Sequence, residues 1–280
     1  SLLPRFFDEP FADSSAVPTY HVSRLARQAV TVALAGDGGD ESFAGYEKYA
    51  VELKEDLVRK KVPHSLLKML HRGSYGWKHP LPRKLHSLTG SALSDPSRAF
   101  YRTNSYVDDA TLATLLSDTV KKECHGYDHV TRMIYTDLKT YLPDDILVKV
   151  DRMSMAHSLE VRAPFLDYRI IEFAASLPSR MKIEGSHKKI LLRKTFAHLL
   201  PEGILNRRKQ GFSVPLDHWF RNEIKDYAEN QLLKSPLLAE LLSVAGIMKL
   251  WQEHQSKKVN HGIILWSLLM LSLWQQEYQQ

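Results

Sequence analysis

Three carboxylates crowd one glycine-rich turn, Ala35-Gly36-Asp37-Gly38-Gly39-Asp40-Glu41. Hard divalent cations take oxygen ligands, so such a turn could hold a cation against phosphates. Its glycines let the backbone turn sharply and come close to a ligand. The turn follows the apolar run Val30 to Leu34, which predicts a buried strand. Open α/β sheets bind ligands beyond the carboxyl ends of their strands, which makes this a ligand position. A solvated acidic turn is the competing reading of the same residues.

Two further segments carry chemistry. Within the segment Asp144 to Ala156, Asp144 and Asp151 lie on one helical face. Arg152, Glu160 and Arg162 add charge among apolar neighbours, and such charges are usually paired. Glu160 and Arg162 read first as a structural ion network, Asp151 as ligand-facing. The third segment, Asn206 to Pro215, contains Arg207-Arg208-Lys209-Gln210-Gly211. A short basic loop of this kind can clamp phosphates. A solvated basic turn or a nucleic-acid patch would use the same residues. The aromatic interleaving that single-strand binding needs is missing around it. The 13 histidines show no zinc spacing, and no GxSxG elbow is present.

The elements that must position these groups are mostly helical. A helix is predicted over 19–29 and a strand over 30–35. No partner strand is evident elsewhere, and one strand cannot make a sheet. After Tyr46 the pattern predicts a basic amphipathic stretch over 47–70. Residues 73–97 read as a loop or loosely helical connection. Helices follow over 95–102, 108–117, 127–141 and 144–159. Asp167 is placed to cap a helix through Leu177, with Ile170, Ile171, Phe173 and Ala174 inward. Further helices are expected over 188–200, 216–233, 236–255 and 260–276. The apolar run Ile263 to Trp274 is too short to span a bilayer. It reads as a buried helix or, less favoured, half of an oligomer contact. A chain of 280 residues with net charge +6 suits a polyanionic ligand. Its single cysteine, Cys124, rules out an intrachain disulfide and a cysteine zinc site and favours a reducing, cytoplasmic setting.

Taken together and in order, these segments resemble the synthetase domain of glutamine-hydrolysing asparagine synthetases. Asp8 to Ser15 looks like that family's DEPFxDxS segment, and Ala35 to Tyr46 like its SGDGGDExFxGY loop. Asp151 to Asp167 looks like its DRMSMAxSxExRxPFLD block, with later matches at Lys188 to Arg193, Leu200-Pro201 and Arg208 to Phe212. The resemblance implies an α/β, predominantly helical chain. It would be the remnant of a parallel-sheet, ATP pyrophosphatase-like domain followed by a helical subdomain. The whole of 1–280 would be one domain, with a nucleotide-binding half at 1–50 and a helical part at 51–280.

The activity implied is adenylation of the aspartate side chain by ATP, then amidation by ammonia to give asparagine, AMP and pyrophosphate. The ammonia would come from a glutaminase domain that this sequence does not contain. Ala35, Gly36 and Asp37 would line the ATP site. Asp40 would be a Mg²⁺–pyrophosphate ligand. Asp37 and Asp151 would hold the acceptor or take a proton from ammonium, and Lys209 would neutralise the α-phosphate. Glu41, Arg152, Glu160 and Arg162 would serve substrate or a structural network. No nucleic acid or membrane partner is implied. Two departures stand out. Ala35 replaces the family's Ser, and the Ser-Gly-Gly-x-Asp-Ser pyrophosphate loop has no copy here. The chain is therefore expected to be the C-terminal part of a longer enzyme and inactive alone. ATP- and aspartate-dependent AMP release by the isolated chain would refute that. A related amide- or lactam-forming synthetase, or a non-catalytic polyanion-binding or oligomerisation module, are the alternatives.

Overall fold

The computed structural model describes residues 3–74, 80–96, 99–100, 127–201, 203–204, 207 and 211–278. In chain order its elements are α1 (Ala16–Arg27), β1 (Val32–Leu34), α2 (Gly39–Ser42), α3 (Glu47–Lys61), α4 (His64–Gly73), α5 (Pro80–Leu93) and α6 (His129–Lys139). After a π turn at Leu142–Leu147 come α7 (Val148–Met155), β2 (Glu160–Arg162), a 3-10 turn at Pro164–Leu166, α8 (Tyr168–Ser176), β3 (Ile183–Glu184) and β4 (His187–Lys188). The rest is α9 (Ile190–Phe196), α10 (Leu216–Arg221), α11 (Lys225–Lys234), α12 (Pro236–Leu241), α13 (Val244–Gln255) and α14 (Gly262–Tyr278). The chain is thus a mostly helical α/β structure with a short parallel sheet.

It divides into two compact units. The first comprises Ser1–Ala35, Asp145–Arg162 and Arg208–Gln280, and the second Gly36–Asp144 and Ala163–Arg207.

In the first unit β1 has the partner that its sequence does not announce. Val32, Ala33 and Leu34 pair in parallel with Glu160, Val161 and Arg162. Glu-Val-Arg has one apolar residue between two charges, too short to show a period-two pattern. The expectation of a buried strand is corrected as well, since Val32 and Leu34 are exposed. Among the described residues β1 has one strand neighbour, which leaves much of it uncovered. Helix α1 packs on α7 around Phe7, Ala16 and Met153.

The C-terminal helices of this unit enclose a second core. It includes Leu216, Phe220, Leu232, Ile247, Trp251, Leu265 and Leu269. The apolar run at 263–274 therefore lies in a core helix. Phe220 is fully buried and meets Trp251 edge-on, with centroids 6.3 Å apart and planes at 90°. Phe220→Ala should cost about 3–5 kcal/mol, read as a lowered urea midpoint. A shift too small for that range would show that the surrounding helices close over the void.

The second unit builds its core on α3 and α6, with Tyr49, Ala50, Phe100, Val130, Met133, Ile134 and Ile183. Asp128 starts α6 by accepting from the amides of Val130 and Thr131 at 3.0 and 3.2 Å. Asp167 caps α8 as expected, accepting from the Arg169 amide at 2.9 Å. Of the four residues expected inward on α8, Ala174 is buried while Phe173 is exposed. The region expected as a loop or loose connection forms a regular helix at α5, packed on α4. His71 and His86 stack between them with centroids 3.9 Å apart. The helix expected at 108–117 lies outside the described residues. Among them, no helix is long and apolar enough to cross a membrane.

Candidate active site

The acidic turn is shaped by its glycines. Gly38 is left-handed, at φ +83°, and a Cβ there would lie 2.3 Å from a Leu166 methyl. At Gly39 a Cβ would press on the Phe165 ring at 3.1 Å. Side chains at either place would push the loop off the 3-10 turn beneath it. Gly36 meets nothing within 4 Å, so the backbone at the head of the turn faces open space.

The three carboxylates of this turn diverge. Asp37 is half-buried. Asp40 pairs with Lys189, Oδ1 to Nζ at 2.7 Å. Lys189 is itself left-handed, at φ 51°, just before α9. A Cβ at Gly45 would fall 1.8 Å from Asp40 Oδ1 and 2.3 Å from Lys189 Cε. The pair thus occupies the space that a glycine leaves open. Glu41 turns inward instead. It is 1% exposed and accepts a 2.5 Å hydrogen bond from the Tyr46 hydroxyl. Burial pushes its carboxyl above the usual range, against the pull of that hydrogen bond. Burial and the Glu41 charge likewise raise the Tyr46 phenol. Glu41 therefore serves the fold of the loop.

In the first unit, the Ala35 amide donates to the Arg162 carbonyl at 2.9 Å, so the sheet already uses it. Asp151 is exposed on α7. Arg152 pairs with Asp8. Glu160 and Arg162 pair with each other on the surface, Oε1 to Nε at 2.6 Å. That is the ion pair their proximity suggests, and an exposed pair contributes about 0–1 kcal/mol.

A group that the sequence does not single out lies at the base of α7. Lys149, 7% exposed, reaches Asp13 Oδ2 at 2.5 Å and Asp145 Oδ1 at 3.6 Å. Burial and the nearby Asp13 charge push Asp145 up to about 6. Burial opposes ionisation of Asp13, yet Lys149 and the donors of Ser15 hold it below the usual carboxylate range. The i, i+4 spacing of Asp145 and Lys149 is the local signal for this cluster.

Asp37 belongs to the second unit and Asp151 to the first. Lys209, with Arg208 and Gln210, lies outside the described residues. The groups that do meet include Asp40 with Lys189, Glu41 with Tyr46, Arg152 with Asp8, and Glu160 with Arg162. Sequence reasoning placed Lys189 in a matching block but gave it no role.

These features define a class: a helical α/β chain whose parallel strand runs into a glycine turn bearing an acid held against a lysine. Comparison with known proteins narrows it. The family model described as asparagine synthase matches residues 1–276. The chain belongs to the asparagine synthase family. It is similar to glutamine-hydrolysing asparagine synthetase 1 of Bacillus subtilis, 32% identical over 96% of this chain and 44% of that protein. A putative glutamine-hydrolysing asparagine synthetase of Mycobacterium tuberculosis is 34% identical over 96% of this chain and 43% of that protein. The chain therefore spans less than half the length of these relatives.

Proposed function

We propose that this chain supplies the acyl-adenylating part of an ATP-dependent asparagine synthetase. The aspartate side-chain carboxylate attacks the α-phosphorus of ATP, and pyrophosphate leaves. Ammonia then attacks the acyl carbon, and AMP departs as asparagine forms. The fold reading that goes with it is an ATP pyrophosphatase-like domain running through 1–280 in a cytoplasmic enzyme, with ammonia delivered from glutamine by a glutaminase domain. The observation that carries this proposal is the family match over residues 1–276.

In this reading Ala35, Gly36 and Asp37 line the nucleotide, and the open space at Gly36 suits close approach of a ligand. Asp37 and Asp151 orient the acceptor or take the ammonium proton. Lys209 neutralises charge developing at the α-phosphate. Lys189 joins the set as the cation that holds Asp40.

Magnesium is tested by the donors themselves. This ion keeps several waters and is bound through one or two carboxylates plus phosphates. Among the described residues no group of three or more His, Cys, Asp or Glu could hold a metal. In this reading Asp40, beside Lys189, is the carboxylate of the turn that meets an ion arriving on the nucleotide. When bound, such an ion would neutralise pyrophosphate charge.

The test is aspartate-dependent release of AMP and pyrophosphate by the full-length polypeptide of which this chain is part, with ATP, Mg²⁺ and ammonia. Lys209→Ala should lower turnover by about 10²–10³-fold. Turnover that survives this change would overturn the assignment of Lys209. Release driven better by another carboxylate than by aspartate would overturn the acceptor.

A further inference from the structure

The second unit holds a cavity of about 440 Å³ behind α2. Its polar lining includes Ser42, Thr131, Arg132 and Lys182, and its walls include Tyr127, Tyr135 and Leu138. Lys182 and Arg132 are cationic donors there, the Thr131 hydroxyl already donates to Asp128, and no carboxylate lines the space.

Lys182 is the unusual member. It is 1% exposed, and lysine is rarely so buried without a partner. Among the described residues no acid pairs with it. Asp128 is the carboxylate whose charge reaches it. That carboxylate is already committed to the start of α6, to Thr131 Oγ1 at 2.7 Å and to Ser179 Oγ at 2.7 Å. Burial holds the Lys182 ammonium below its ordinary range, as expected of a desolvated cation short of a counter-charge. Arg132 Nε and Ser42 Oγ are likewise shielded from solvent without an acceptor. Leaving buried donors unmet is costly. An anion entering the cavity would supply the counter-charge that Lys182 lacks.

We propose that this cavity is a binding site for a small organic carboxylate with an apolar body, separate from the adenylating site. The carboxylate sits among Lys182, Arg132 and Ser42, and the apolar part lies between the tyrosines and Leu138. The volume is within the range of small-molecule sites. Ser42 closes the same short helix that carries Asp40 and Glu41, so the site backs onto the acidic turn.

The probe is 3-phenylpropionate, followed by calorimetry and ligand-observed NMR on the whole chain. Saturable one-to-one binding is expected. Lys182→Met, which keeps the stem and removes the charge, should weaken it at least about tenfold. Ala175→Phe, which fills the cavity from its exposed rim, should do the same. Circular dichroism checks that each variant is folded, and either folded variant suffices for the comparison. The neutral 3-phenylpropionamide should bind at least about tenfold more weakly than the acid. Undetectable binding, equal affinity for acid and amide, full affinity in a folded variant, or displacement by Mg·ATP would each overturn the proposal. None of these readouts depends on turnover, so failure of the adenylation reading would leave this site standing.

Discussion

Gly45→Ala should lower aspartate-dependent pyrophosphate release by the full-length polypeptide that carries this chain about 100-fold and leave the melting temperature nearly unchanged. The backbone at Gly45 is not left-handed, so alanine meets no conformational penalty there. What it meets is the ion pair, with Asp40 Oδ1 at 1.8 Å and Lys189 Cε at 2.3 Å from the new methyl. Asp40 Cγ lies at 2.8 Å as well, so the whole Asp40 carboxylate must turn away, with the partly exposed Lys189 stem. The fold survives, and Asp40 and Lys189 lose their placement against each other. If Asp40 acts on pyrophosphate, displacing it removes preorganised charge at the transition state, and that loss falls in turnover. Asp40→Asn, which keeps the shape and removes the charge, should lose a similar factor. Gly73→Ala is the control, because a Cβ there meets nothing within 4 Å. Full turnover in Gly45→Ala would show that the pair at 2.7 Å has no part in the chemistry.

The acidic turn is legible in the sequence because glycine spacing constrains the backbone locally, whatever packs around it. The cap at Asp167 is legible for the same reason, since the side chain bonds an amide two residues on. The Glu160–Arg162 pair is legible as opposite charges two residues apart among apolar neighbours. What stays hidden depends on distant partners. β2 carries only Val161 between charged neighbours, so its pairing with β1 has no periodic signature. Lys189 reads as one cation in a basic helix until its left-handed backbone turns it toward Asp40. Lys182 looks like an ordinary surface lysine, and only its burial marks it out. The inward face expected for α8 fails at Phe173, because a nine-residue helix spans too few turns to resolve which stripe the core will use.

Lys48→Met should destabilise the protein by about 3–5 kcal/mol at neutral pH, with a loss that shrinks in acid. Lys48 Nζ pairs with Asp137 Oδ1 at 2.8 Å, and the Asp137 side chain is 2% exposed. Tyr49 donates its hydroxyl to the other carboxylate oxygen. Around the ammonium stand Tyr46 at 4.8 Å, Tyr141 at 4.3 Å and Phe100 at 5.5 Å from Nζ to ring centroid. Methionine keeps much of the stem's packing but strips Asp137 of its counter-charge. Burial already holds the Asp137 carboxyl above its ordinary range, while Lys48 and Tyr49 pull it down. Without Lys48 it rises further. A carboxyl whose folded value exceeds its unfolded value contributes stability below the unfolded value, about 3.9, that is lost as pH rises through the folded value. The parent's own Asp137 is already raised, so both proteins lose stability together until pH reaches its folded value. The gap between variant and parent must therefore open above that value and narrow as pH returns below it. Urea unfolding at several pH values measures it. Adding Asp137→Asn to Lys48→Met removes the stranded charge and should recover part of the loss. A gap that stays constant with pH, or a double variant no better than Lys48→Met alone, would mean that Lys48 stabilises through its aromatic contacts and not through Asp137.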